Sequence, residues 1–125
     1  MKYYSEVQMA DLRLAFENKI LTLPEVRMKR MFGCPCYQAN GNLFAFLVTN
    51  GVVITQLEEK NRDELAREGK FFRAGKKVVR NWIEFSIKNT IDLKRVLPVV
   101  RQSYRIALRK ARMAKRVQGL IGNGT

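Results

Sequence analysis

Five arginines carry the most distinctive spacing in the chain. Arg101, Arg105, Arg109, Arg112 and Arg116 advance by four, four, three and four residues, so on a helix turning about 100° per residue they fall within roughly 80° of arc. Like charges at this spacing repel, and the ridge costs helix stability unless phosphates, an acidic partner or acidic groups elsewhere in the fold neutralise it. The alternative is a solubilising face. A second basic set, Arg73, Lys76, Lys77 and Arg80, surrounds Gly75. Phe71, Phe72 and Trp82 stand close by and would stack on bases if they faced outward, although burial in a sheet is their expected fate. Gly75-Lys76-Lys77 is not a phosphate loop, because the Walker spacing and its following Ser or Thr are both missing.

Catalytic groups are scarce. The chain has no histidine, which removes the commonest general base, the partner in most serine and cysteine triads, and the usual imidazole ligand. The carboxylates Glu58, Glu59, Asp63, Glu64 and Glu68 cluster on one charged segment, where nothing suggests the burial that raises a carboxyl pKa for acid–base work. Cys34-Pro35-Cys36 supplies two thiolates, and no other cysteine or histidine is present to complete a tetrahedral zinc site within one chain. A redox role would need a lowered thiol pKa, usually from a helix N-terminus. Cys34 and Cys36 are therefore expected to be small residues in a tight turn, with a thiol-dependent or metal-binding role as a distant alternative. No catalytic residue, cofactor or small-molecule substrate is expected.

The charge balance points to an acidic partner. Lys and Arg number 24 against 11 Asp and Glu, giving +13. The last acidic residue is Asp92 and nine basic residues follow it, so residues 1–92 hold 15 bases against 11 acids while residues 93–125 carry +9. Such an imbalance acts on association and solubility rather than on fold. No run approaches the roughly 18 apolar residues of a membrane span, and the first six residues turn polar before a signal-peptide core could form. Two cysteines do not make the disulfide framework of a secreted domain. A cytoplasmic location with no membrane contact is expected.

Around these residues the chain reads as one domain over residues 1–117. Tyr4-Ser5-Glu6-Val7-Gln8-Met9 predicts a helix start, with Ser5 and Gln8 as a capping box and Tyr4 stapled on Met9. Its inward stripe is Met9, Leu12, Phe16 and Ile20, and Pro24 ends it. Three extended segments follow, Met31 to Ala39, Asn42 to Val48 and Val52 to Leu57, separated by Asn40-Gly41 and Asn50-Gly51, both strong hairpin signals. Phe44, Phe46, Val48, Val53 and Ile54 are expected in the core. A charged helix spans Glu58 to Glu68, with an Asp63 to Arg67 pair and Gly69 as its stop. Phe71 and Phe72, Gly75 to Lys77 and Val78 to Ile87 form a second hairpin. Asn89 or Thr90 then caps a closing helix over about residues 91–116. It docks by Leu93, Val96, Leu97, Val100, Tyr104, Ala107, Leu108 and Ala111, and Pro98 kinks or divides it. Residues 118–125, rich in glycine, are expected to form a frayed, flexible tail.

From Val26 to Ala111 the sequence resembles the TfoX N-terminal domain family, bacterial proteins related to regulators of natural competence. The resemblance rests on Lys29-Arg30-Met31-Phe32-Gly33, on Asn40-Gly41-Asn42-Leu43-Phe44-Ala45, and on Gly75-Lys76-Lys77-Val78 ahead of Trp82. It implies an α+β fold with an antiparallel sheet in α-β-β-β-α-β-β-α order, similar to secretion chaperones, with no family active site and no cofactor. It also implies a non-catalytic regulatory or adaptor module holding a protein partner or a second copy of itself. Members with the competence role, a form of transcription regulation, carry a second helical domain, so a stand-alone unit is expected here. Cys34-Pro35-Cys36 stands where many members have a glycine-rich stretch. The arginine ridge supplies the alternative function, sequence-independent binding of nucleic acid, because arginines so spaced meet backbone phosphates more readily than base edges.

Overall fold

Residue types from Glu6 to Ile20 make a helix that is pinned at its start by the sheet. The computed structural model describes residues 3–122, apart from the side chains of residues 115 and 117–122. Helix α1 (Glu6–Ile20) buries Met9, Phe16 and Ile20 as the periodicity requires. The capping box does not form: the Ser5 side chain makes no cap bond. Instead the Ser5 amide donates to Thr49 Oγ1 at 2.8 Å, and Thr49 N donates to Tyr3 O at 2.8 Å. A long-range anchor has replaced the local one.

Six strands follow in an entirely antiparallel sheet ordered β1-β2-β3-β4-β6-β5. They are β1 (Val26–Met31), β2 (Cys34–Ala39), β3 (Asn42–Val48), β4 (Gly51–Ile54), β5 (Lys70–Ala74) and β6 (Lys77–Ser86). The class is α+β as expected, but a strand not expected from the sequence, β1, precedes the first extended segment and pairs with it as a hairpin, giving α-β-β-β-β-α-β-β-α. Phe32 (φ 55°) and Gly33 (φ 77°) make its tight turn, with a phenylalanine where asparagine would be usual. Asn40 and Gly41 behave as the sequence predicts, both with positive φ. At the other Asn-Gly only Asn50 (φ 58°) does so, and Gly51 already belongs to β4. As an edge strand, β1 exposes Arg27, Lys29 and Arg30, cations that discourage edge-to-edge pairing.

Charged residues 58–68 form a 3-10 turn (Glu59–Asn61) and then α2 (Arg62–Glu68). The ion pairs there are Lys60–Glu58 at 3.5 Å and Arg62–Glu59 at 3.9 Å rather than the expected Asp63 to Arg67. Gly69 is the C-cap of α2, and the position excludes a side chain: a Cβ there would lie 2.5 Å from Glu84 O.

Cross-strand register sorts the core into two faces. Tyr37, Ala45, Leu47, Val52, Ile54, Ile83 and Phe85 share one face and are all buried. Phe16 of α1 packs edge-on against Tyr37 there, with ring centroids 5.0 Å apart. The other face holds Cys36, Phe46 and Val53. It is covered by the sheet itself. Strands β3 and β5 are three places apart, about 14 Å in a flat sheet, yet the rings of Phe46 and Phe72 are 5.2 Å apart. Trp82 of β6 is 5.3 Å from Phe46. The β5–β6 hairpin therefore coils over this second face, and bulges at Phe71/Phe72 and Tyr37/Gln38 supply extra bend.

The closing helix α3 runs unbroken from Thr90 to Gly122. Pro98 lies inside it and divides nothing, and the helical backbone continues past residue 116 through the first part of the expected tail. Residues 123–125 lie outside the described residues.

Candidate nucleic-acid interface

Helix α3 is held in one rotational setting by caps and side-chain pins, and that setting decides where its arginines point. Asn89 caps the helix, its Oδ1 accepting from Asp92 N at 2.9 Å, while Asp92 Oδ2 accepts from Lys88 N at 3.0 Å. Leu93, Val96, Leu97, Val100, Tyr104, Ala107 and Ala111 are buried, and Leu108 is half-buried. The stripe read from the sequence is thus the docking face.

A polar pin that the apolar pattern conceals lies within that face. In the β2–β3 register Tyr37 faces Ala45 and Gln38 faces Leu43, so Phe44 is the extra residue of a bulge. Its carbonyl points to the β4 side, where it accepts from Thr55 N at 3.1 Å and from the fully buried Ser103 Oγ at 2.6 Å. Ser103 Oγ in turn accepts from Gln56 N at 3.1 Å. Asn42 Nδ2 donates to Ala107 O at 3.2 Å, and Tyr104 donates to Pro24 O at 2.9 Å. Burial raises the Tyr104 phenol pKa; Arg112 lowers it again in part and Glu25 adds to the rise.

With α3 so fixed, Arg105, Arg109, Arg112 and Arg116 are exposed and Arg101 is half-buried. The four exposed residues line an open depression of about 590 Å³ whose floor is Leu108 and Met113. Among the described residues no carboxylate lies within ion-pair distance of any of the five. The one polar contact of the ridge among the described residues is Arg105 Nη1 donating to Gln102 Oε1 at 3.2 Å. Neighbouring like-charge pairs along such a helix cost about 0.2–0.5 kcal/mol each, so the four steps from Arg101 to Arg116 leave about 1–2 kcal/mol of unrelieved repulsion. From Arg105 to Arg116 the ridge extends about 16 Å along the helix axis, the length of about five base steps at 3.4 Å.

The second basic set is exposed too, but it does not join the ridge. Arg73, Lys76, Lys77 and Arg80 sit on the β5–β6 hairpin, whose Phe72 and Trp82 pack on the sheet face opposite Ala45 and Leu47. Gly75 (φ 65°) makes the turn, and its amide donates to the Tyr3 hydroxyl at 3.1 Å. Arg80 lies over the Phe71 ring at 6.0 Å. Phe72 is buried and Phe71 and Trp82 are half-buried, so this hairpin presents no fully exposed ring for stacking.

Cys34 and Cys36 alternate with Pro35 at the start of β2, both buried and reduced. Their sulfurs lie near backbone carbonyls, Cys36 Sγ 3.5 Å from Cys34 O and Cys34 Sγ 3.9 Å from Phe32 O. Desolvation raises both thiol pKa values, that of Cys36 to about 11, so both are protonated at neutral pH. Among the described residues no three of His, Cys, Asp and Glu come together as a metal site, and no helix is long and apolar enough to cross a membrane.

One polar cluster escaped the sequence reading. Arg13 forks onto Glu6 with three contacts of 2.8 to 3.0 Å and reaches Glu17 at 2.8 Å, while Tyr4 donates to Glu6 and Tyr37 donates to Glu17. The Arg13 and Tyr4 hydrogen bonds pull the Glu6 carboxyl down to about 2. Every carboxylate here is occupied by a donor, which makes the cluster a clamp between α1 and β2. Glu6, Arg13 and Glu17 do follow helical spacing, but Tyr37 is distant in sequence. Compared with known proteins, the chain matches no family model, no curated protein and no solved structure.

Proposed function

We propose that the chain is a non-catalytic binding module that lays α3 along the phosphate backbone of a nucleic acid. The observation that carries this reading is the row Arg105, Arg109, Arg112 and Arg116, exposed on one side of a helix whose rotation is fixed by buried pins, with no carboxylate partner among the described residues. A charge arrangement that costs helix stability in the free protein is relieved when phosphates supply the missing anions. The contacts are to backbone and not to base edges, so affinity depends on salt and hardly on sequence. The adaptor role rests on the TfoX resemblance, and the ridge reading is preferred because it rests on geometry.

Fluorescence anisotropy with labelled DNA duplexes and single strands at low salt tests the proposal. Two unrelated sequences should bind alike, and Arg105→Glu with Arg109→Glu should abolish binding while circular dichroism stays unchanged. Absence of binding at low salt, or binding undiminished in the double variant, overturns it.

A further inference from the structure

The coiled sheet leaves a space on the face away from α3. A cavity of about 400 Å³ opens between the β1–β2 tip and the β5–β6 hairpin. Phe46 and Leu43 of β3 and Cys36 of β2 form its floor, with Phe72 and Trp82 as one wall and Met31 and Phe32 at the mouth. Its size lies within the range of small-molecule sites, which are mostly apolar with a few placed polar groups. Liquid water at about 30 Å³ per molecule would fill it with about thirteen molecules. The wall offers them little: the thiols already face backbone carbonyls, and the Tyr3 hydroxyl, which accepts from Gly75 N, has its O–H left to donate. Displacement of such poorly bonded water by an apolar group gains affinity.

Two lysines emerge on the cavity's face of the sheet, and the carboxylate on that face, Glu84 opposite Val53, is paired with Lys70 at 3.6 Å. Lys29 stands opposite Cys36 in the β1–β2 ladder, and Lys77 stands opposite Ala74 in the β5–β6 ladder. Cross-strand partners share a face, so each lysine emerges on the face of a cavity-lining residue. Both are exposed, and neither is in an ion pair among the described residues. No carboxylate lines the cavity. Phe32 projects beside the mouth at 94% exposure and φ 55°, an exposed ring in a backbone conformation that costs a non-glycine residue about 1–2 kcal/mol.

We propose that this cavity binds an amphipathic organic anion, with an acyl or aryl group inside among Phe46, Phe72 and Trp82 and a carboxylate or sulfonate at the mouth between Lys29 and Lys77. Apolar lining explains the tail, charge complementarity selects the head group, and the Phe32 ring is placed to cover the bound tail. The site uses none of the α3 arginines and stands or falls independently of the ridge.

Trp82 is the only tryptophan and lies in the wall, so its emission reports on the cavity directly. The probes are decanoate below its micelle concentration, decyltrimethylammonium as the cationic counterpart, and 8-anilinonaphthalene-1-sulfonate, which accepts energy from tryptophan. Decanoate should shift Trp82 emission saturably and with one-site stoichiometry, and the cationic probe should bind at least tenfold more weakly. Lys29→Glu with Lys77→Glu should weaken decanoate at least tenfold, Ala74→Phe at the exposed rim should block it, and Arg105→Glu with Arg109→Glu should leave it unchanged. Equal binding of the two decyl probes, or no saturable response of Trp82 to either anion, overturns the proposal. So does sedimentation showing a homodimer that Phe32→Ser dissociates, since a second copy would then be the occupant.

Discussion

Replacing Arg105 and Arg109 with glutamine removes two of the four exposed ridge charges without reversing them, and the consequence for nucleic-acid binding can be worked out in advance. Each phosphate neutralised on a DNA duplex contributes about −0.9 to the slope of log K against log salt. Four contacts from Arg105, Arg109, Arg112 and Arg116 give a slope of about −3.6, and affinity should fall about 150-fold between 50 and 200 mM salt. With two contacts left the slope becomes about −1.8, and the same salt step costs only about 12-fold. Both side chains are exposed and make no buried bond, so the fold is kept and near-ultraviolet circular dichroism should be superimposable, while relief of three of the four ridge repulsions adds stability. Anisotropy titrations of one duplex at five salt concentrations measure both slopes. A variant slope equal to that of the parent refutes the assignment to the ridge. A slope that falls instead in Arg73→Gln with Lys76→Gln would transfer the contacts to the β5–β6 hairpin.

Three further outcomes follow from the packing. Ser103→Ala deprives the Phe44 carbonyl and the Gln56 amide of their buried partner and should destabilise the fold by about 1–3 kcal/mol in urea titrations; a change below about 0.5 kcal/mol would mean that the pin is not needed. The Glu6 carboxyl is lowered from 4.5 to about 2 by Arg13 and Tyr4, so its contribution to stability is complete above about pH 4.5 and disappears as pH falls toward 2. Glu6→Gln should therefore flatten the acid side of a stability–pH curve, and an unaltered curve contradicts the clamp. With Cys34 and Cys36 buried and their thiols raised, that of Cys36 to about 11, uncharged iodoacetamide at pH 8 should label both far more slowly in the native protein than in urea, whereas equally rapid native labelling would show an accessible thiolate.

Short-range patterns were legible wherever one local rule acted alone. The apolar stripes of α1 and α3 match the buried positions except Leu12 and Leu108, which are half-buried, and Asn40-Gly41 makes the turn that its residue types demand. Strand β1 was not legible: Val26–Met31 is an edge strand with its four central residues exposed, so it lacks the alternation that marks a half-buried strand. The turn joining it to β2 places Phe32 at positive φ, where no propensity rule puts a phenylalanine. Ser5 likewise had the residue type for a cap, and Thr49, 44 positions away, took its amide.

The candidate surfaces divide along the same line. Arg105 to Arg116 share a side of α3 because helical periodicity is a property of consecutive residues, so the sequence by itself determined the ridge, its sign and its length. That the ridge faces outward was decided by the tertiary structure, through Ser103 on a bulged carbonyl and Tyr104 on Pro24. The cavity belongs wholly to the second kind. Its walls, from Met31 to Trp82, meet only because a sheet coils far enough to bring β3 and β5 into ring contact. Such coiling sums bulges and twist over six strands, and no window of neighbouring residues contains it.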